Sequence, residues 1–365
     1  MAYVFLDGHK TELDNTSYEM EFYLNEVWIT LAGKQVQVVN LWNDTSTTIN
    51  LSPYISGESV HITKSLNKIY VFDCYEPELP YEGFIVTGFV VIDASSKQVL
   101  ETVQLPIEAH CNPVFSNNKL WFSTIATESS PPSDIQYMFN LDITAGWSDL
   151  VPITGNKQFV QRRFISGNNE FVYVDSFNES GVIQYDAITG LKVKAITINR
   201  KPDSFNVNND RELLVGSFLG MVSVINQDAW TSSNKWPTIN EASSIFDDGT
   251  YVWAINDGLI RVDKDETYTD NVKYMDESAD RDYHIAAFQT DTVFKQIFTT
   301  PPFVHNEWNG SNVVEVTEPQ NVLVLADDNF YRATNLTDSW DLDEVRVYNL
   351  SLRGTAMVAT GAEKY

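Results

Sequence analysis

The sequence predicts an all-β chain, folded as a closed ring of about seven four-stranded antiparallel sheets, and three observations predict it. A polar turn leading into a short apolar strand recurs along the whole chain. A second strand, closing on Asp or Asn, follows each copy. No segment keeps apolar residues at helical spacing for three turns.

The first element of the repeat appears seven times. Leu24-Asn25-Glu26 leads into Val27–Thr30, Ser65–Lys68 into Ile69–Asp73, Ser116–Lys119 into Leu120–Thr124, and Gly167–Glu170 into Phe171–Asp175. Asn208–Arg211 then precedes Glu212–Ser217, Asp247–Thr250 precedes Tyr251–Asn256, and Glu318–Asn321 precedes Val322–Asp327. These strands are apolar at consecutive positions, which suits a strand covered on both faces. The second element closes at Asn40, Asp93, Asp142, Asp186, Asn226, Asp263 and Asn349. A terminal Asp or Asn accepts hydrogen bonds from its own turn. After several copies comes a further strand of alternating polarity, as in Leu191–Ile198, the pattern of a half-exposed outer strand. A four-stranded unit with apolar inner strands and a polar outer one is the blade of a β-propeller.

Spacing between first elements is fairly even until the step from Val252 to Leu323, the widest. An insertion within 264–312, containing the crossover to the last blade, is the preferred reading; six or eight blades are the alternatives. Ring closure is expected from Tyr3–Leu6 pairing beside the C-terminal strands around Val345 to Asn349, because an open ring would expose two edges. The whole chain, 1–365, is read as one domain.

The repeat resembles that of the YVTN-type and quinoprotein-like propellers, most closely over residues 166–226. The resemblance implies an architecture and no particular activity.

Composition narrows the function. Fifty acidic against 24 basic residues give a net charge of −26, which repels phosphate backbones and argues against nucleic acid as a partner. No apolar run approaches the length of a membrane span. Cys74 and Cys111 are too few and too far apart for a disulfide framework or a metal knuckle, and read as buried small hydrophobes. The N-terminus as it stands shows no basic region, apolar run and cleavage site of an export signal.

Function is then sought where the repeat is broken, since loops on a rigid scaffold usually carry binding. The connections between the two marked strands are long in the second, third and last repeats, at 75–82, 128–133 and 328–341. Together with the 264–312 insertion they are expected to build up a single face. Glu76, Pro77, Tyr81, Pro131, Pro132, Phe303, His305 and Trp308 are the candidate contacts there for a protein or glycan partner, through aromatic anchors. The enzymatic alternative, a lyase or hydrolase, would use the central channel. Asp73, Asp175, Asn256 and Asp327 are its candidate mouth residues, and the three carboxylates offer oxygen ligands to a hard cation such as Ca²⁺. The five histidines recur at no matching blade position, and no phosphate loop, nucleophile elbow or zinc-protease motif occurs. No catalytic residue and no other cofactor is assigned.

The expected role is therefore a non-enzymatic structural or interaction propeller. Its expected setting is a virion, as a phage tail or capsid-associated part assembled in the host cytoplasm. A bacterial surface or cytosolic scaffold propeller is the alternative.

Overall fold

The computed structural model describes the chain from His9 to Lys364. Residues 1–8, 42, 44, 77–83, 110–112, 126–135, 143–149, 154–164, 168, 177–180, 199–201, 208–210, 218–220, 238–243, 248–250, 257, 264–281, 289–293, 300–302, 309–311, 319–321, 327–328, 334–345, 354–355 and 365 lie outside the description. At some strand positions the description covers the backbone alone. Among the described residues every regular element is a β-strand, and no helix is long and apolar enough to cross a membrane.

The strands form six four-stranded sheets, one six-stranded sheet and a two-stranded ribbon, all antiparallel among the described residues. Each of the first five sheets uses four strands in chain order, beginning with Ser17–Tyr23, Glu58–Ser65, Val114–Ser116, Ile165–Gly167 and Pro202–Val207. The sixth begins with Ser244–Asp247 and runs through Tyr251–Asn256, Gly258–Asp263 and Asp282–Phe288; Arg346–Arg353 and Ala356–Lys364 then widen it. The seventh takes Phe294–Thr299, Val322–Ala326 and Asn329–Ala333, and its fourth strand is His9–Glu12 from the other end of the chain. First strands touch first strands from each sheet to the next, and Phe294–Thr299 of the seventh touches Ser17–Tyr23 of the first.

All seven expected apolar strands are second strands of these sheets. Each is paired along both edges and covered on both faces, so successive side chains enter different cores. Trp28 packs with Ile62, Ile69 and Val71 of the second sheet, while Val27 and Ile29 pack with Leu323 and Leu325 of the seventh. Leu120 and Phe122 join Tyr70 and Phe72, whereas Trp121 joins Val172 and Val174. Tyr173 turns the other way, to Leu213 and Val215.

The closing Asp or Asn of the third strand does what its type dictates. Asp93 Oδ1 accepts the Ser95 and Ser96 amides at 3.1 and 2.7 Å, Asp186 Oδ1 those of Ile188 and Thr189 at 3.0 and 2.7 Å, and Asn226 Oδ1 those of Asp228 and Ala229 at 3.1 and 2.8 Å. These amides hold the Asp93 and Asp186 carboxyls below the usual range. A backbone bond follows that the sequence does not advertise. The next amide bonds back to the turn opening the second strand: Leu41 to Asn25, Ala94 to Asn67, Ala187 to Glu170 and Gln227 to Arg211, at 2.8–3.0 Å.

Three expectations need correction. Arg346–Arg353 carries Asn349 within it and is not the third strand of the last sheet; Asn329–Ala333 is. Nor can it close the chain against the N-terminus, because Asp282–Phe288 occupies one of its edges and Ala356–Lys364 the other. The closing pair is His9–Glu12 with Asn329–Ala333, while Tyr3–Leu6 lies outside the described residues. Finally, 282–299 is not inserted but supplies regular strands of the sixth and seventh sheets. The extra element is the ribbon of Phe303–Trp308 and Val313–Glu318, which reaches past 312.

Deleting residues 1–12 removes the fourth strand of the seventh sheet and bares the edge of Asn329–Ala333. Thermal unfolding of the truncated chain is expected several degrees below that of the full chain; an unchanged midpoint would show that this pairing contributes nothing.

Candidate functional site

Antiparallel alternation gives each sheet two distinct ends. At the turn end, the first strand meets the second and the third meets the fourth. At the crossover end, the second meets the third and the chain leaves for the next sheet. The connections at 76–84 and 126–135 lie at the crossover ends of the second and third sheets. The ribbon with Phe303, His305 and Trp308 instead grows between the first and second strands of the seventh sheet, at its turn end. Residues 334–345 lie outside the described residues. The expected contacts are therefore divided between opposite ends of their sheets. Pro77, Tyr81, Pro131 and Pro132 lie outside the described residues, and Phe303, His305 and Trp308 are described as backbone.

The candidate channel residues do not lie on the first strands, which touch from sheet to sheet. Asp73, Asp175 and Asn256 sit on second strands, and Asp327 lies outside the described residues just past another. The sheet edge belongs to the preceding first strand. Asp73 is buried and fully occupied: Oδ2 accepts the Ser56 amide and hydroxyl, each at 3.0 Å, and Oδ1 accepts the Gly57 amide at 2.7 Å. It clamps the turn that starts the second sheet. Gly57 is required there, since a Cβ would fall 2.0 Å from the Cys74 carbonyl oxygen. Among the described residues no group of three or more His, Cys, Asp or Glu side chains comes together to hold a metal.

A different group of side chains gathers where the first strands begin. The first strands of the first, second, fifth and seventh sheets each carry a register shift near their start, at Ser17/Met20, Ser59/Ile62, Pro202/Ser204 and Phe294/Gln296. A bulge interrupts the ladder and re-aims side chains, here Tyr18, Glu19, His61 and Lys295. Side chains from the neighbouring sheet then satisfy the freed backbone. Gln296 Oε1 accepts the Met20 amide at 2.6 Å, and Glu19 Oε2 accepts the Ile62 amide at 3.1 Å. Glu19 Oε1 lies 3.0 Å from His61 Nδ1. Behind them Thr30 Oγ1 accepts the Glu19 amide at 3.0 Å and donates to the Val60 carbonyl at 2.7 Å.

Phe84, the last residue before the third strand of the second sheet, closes over this group. Its ring meets Tyr18 edge-on at 5.7 Å and His61 at 6.4 Å between centroids. Lys295 donates to the Ser17 carbonyl and stands 5.8 Å over the Tyr18 ring. Burial, then the charges of Glu58, Glu76 and Cys74, push the Tyr18 phenol above its ordinary range. It stays a neutral hydroxyl at neutral pH. At the rim, Tyr75 donates to Glu108 at 3.1 Å and is 38% exposed. Tyr18, Glu19, His61, Phe84 and Lys295 were not legible from the repeat. Their one signal is position, just before a marked strand, and the bulge that presents them leaves no mark in the sequence.

Aromatic rings, carboxylates and a neutral phenol converge, while the nearest thiol is disarmed. Cys74 is buried, and burial pushes its thiol up to about 12.

No family model matches this chain, and no curated protein is similar to it. Among solved structures, the crystal structure of a computationally designed protein, Ika8, aligns with a TM-score of 0.51 at 11% identity, over 97% of this chain and 98% of that one. At that identity the likeness is one of fold alone.

Asp73→Ala leaves the Ser56 and Gly57 donors without their acceptor. It is expected to lower unfolding stability by about 3 kcal/mol in denaturant titration, and a loss near zero would remove the clamp. A thiol held neutral by burial should also resist alkylation. In a Cys111→Ser background at pH 9, Cys74 is expected to react only once denaturant opens the chain. Its stabilising contribution is complete below the unfolded pKa of 9.0 and is lost as pH rises toward 12.

Proposed function

We propose that the chain is a single seven-bladed β-propeller that serves as a non-enzymatic docking module in a larger assembly. Two observations support the ring. The first strands touch in sequence from the first sheet to the seventh and back to the first. A designed, propeller-like protein aligns over nearly all of the chain.

The observation that carries the docking reading is the Tyr18–His61–Phe84 group beside Glu19 and Glu76. It lies at the crossover end of the first two sheets, among the bulged first strands and beside the start of the third strand of the second sheet. Tyr18 and Phe84 pack against the core of the second sheet, and Glu19 bonds the His61 ring and the Ile62 amide, so the rings are held in place before any partner arrives. A preorganised aromatic group loses little freedom on binding. The partner we propose is a protein, met through an aromatic or cationic side chain that stacks on Tyr18 and Phe84 and faces the carboxylates. The assembly we propose is a virion, as a phage tail or capsid-associated component, for which a rigid ring is a fitting part.

Tagged chain incubated with particles or lysate of its source is expected to capture particle proteins, identified by mass spectrometry. Phe84→Ala is expected to weaken that capture about tenfold with an unchanged thermal midpoint, the loss of one anchoring ring. Capture undiminished in Phe84→Ala would overturn the site. Capture of glycans alone, on a glycan array, would replace the partner class.

A further inference from the structure

Two of the rings around Phe84, those of Tyr18 and His61, carry polar atoms that the fold leaves unused. His61 is only 8% exposed, yet its ring bonds the protein at one corner, where Nδ1 meets Glu19 Oε1 at 3.0 Å. An ionised carboxylate can only accept, so Nδ1 carries the hydrogen of the neutral ring and Nε2 is left as a bare acceptor. Among the described residues Nε2 has no partner. Nor is it sealed from solvent, as the unbonded Trp28 Nε1 and Gln184 Oε1 are, so the little exposure the ring keeps includes this atom. The Tyr18 hydroxyl, held neutral, likewise makes no hydrogen bond among the described residues.

The charges nearby are largely engaged already. Glu19 holds the Ile62 amide with its second oxygen, Glu58 Oε2 holds the Gly33 and Lys34 amides at 2.9 and 3.3 Å, and Asp73 is filled by Ser56 and Gly57. Glu76, whose charge reaches the Tyr18 phenol, and Lys295, over the Tyr18 ring, are one of each sign. A cation stacking on Tyr18 would also meet the Lys295 ammonium already there. The rings therefore call for a neutral aromatic visitor, and His61 Nε2 calls for one that carries a hydrogen-bond donor. Indole meets both demands: it is the largest neutral side-chain ring, and its Nε1–H donates and never accepts.

We infer that the anchor taken by this site is a tryptophan side chain of the partner protein, an assignment that rests on the docking reading above. The indole lies against Phe84 and Tyr18, and its Nε1–H donates to His61 Nε2. His61 sets the specificity, through an acceptor that Glu19 fixes by holding the other ring nitrogen. Tyr18 Oη, whose hydrogen rotates freely, answers either a donor or an acceptor on the partner's backbone. Phenylalanine would fit the rings and leave Nε2 unbonded. Arginine and lysine would bring the donor together with a charge that Lys295 repels.

The test titrates the full chain at pH 8, by ligand-observed NMR, with N-acetyltryptophanamide, its 1-methylindole analogue, N-acetylphenylalaninamide and N-acetylargininamide. The tryptophan probe is expected to bind about fivefold more tightly than the methylated and phenylalanine probes, the worth of one hydrogen bond between neutral groups, and more tightly than the arginine probe. His61→Phe is expected to abolish that preference, and Phe84→Ala to weaken the aromatic probes alike. His61→Gln keeps a donor for Glu19 and an acceptor beside it, and is expected to retain part of the preference. The wild-type comparison needs no variant, so it decides the matter even if His61→Phe does not fold. Equal binding of the tryptophan probe and its methylated analogue, with both weakened by Phe84→Ala, would overturn the tryptophan assignment and leave the docking reading standing. A preference that survives His61→Phe, or tightest binding of the arginine probe, would overturn the assignment as well. Binding that Phe84→Ala does not move, or no saturable binding of any probe, would bring down the docking reading and the assignment with it.

Discussion

Everything in this chain depends on enclosing the second strand of each sheet. That strand has no free edge and no solvated face: neighbours bond it on both sides, and the cores of two adjoining sheets claim its alternate side chains. Trp28 and Ile29, or Trp121 and Phe122, are consecutive residues that stabilise different intersheet cores. No sheet can bury its own second strand alone, so each stands only while both neighbours stand. The large rings sealed there, Trp28, Trp121, Trp253, Tyr70 and Tyr173, are among the most enclosed side chains of the described residues.

Enclosing the second strand leaves the first at an edge of its sheet, and a bare edge invites pairing with other chains. The solution is electrostatic and steric at once. A bulge breaks the line of amides, and a carboxylate or amide from the neighbouring sheet takes up those that remain, Glu19 for Ile62 and Gln296 for Met20. The same act turns polar and aromatic side chains outward at one end of the sheets. The candidate site is thus a by-product of protecting the edge, which explains why it is built from residues that look unremarkable in the repeat.

Strongly constrained positions were legible in the sequence and weakly constrained ones were not. Every enclosed strand could be read from its apolar run, and the capping role of Asp93, Asp186 and Asn226 from residue type alone. The first strands escaped notice because each lies at a sheet edge, so short segments such as Val114–Ser116 satisfy them. Asp73 looked like a channel residue because a carboxylate ending an apolar strand suggests solvent, yet its acceptors are spent on Ser56 and Gly57. Asn349 fitted the closing-residue pattern by composition only; its strand lies immediately beyond the regular fourth strand of the sixth sheet. Strand direction, which separates Trp308 from Glu76, cannot be read until the unmarked strands are counted.

The seventh sheet joins residues from both extremes of the chain, His9–Glu12 lying against Asn329–Ala333. During synthesis the first of these segments leaves the ribosome with nothing to bond to and must wait for almost all of the remaining chain to emerge. Its backbone groups stay on water for that whole interval. Closure of so distant a contact carries a high entropic barrier and follows the local hairpins in time. The seventh sheet therefore stays incomplete until Asn329–Ala333 has been made and docks on His9–Glu12.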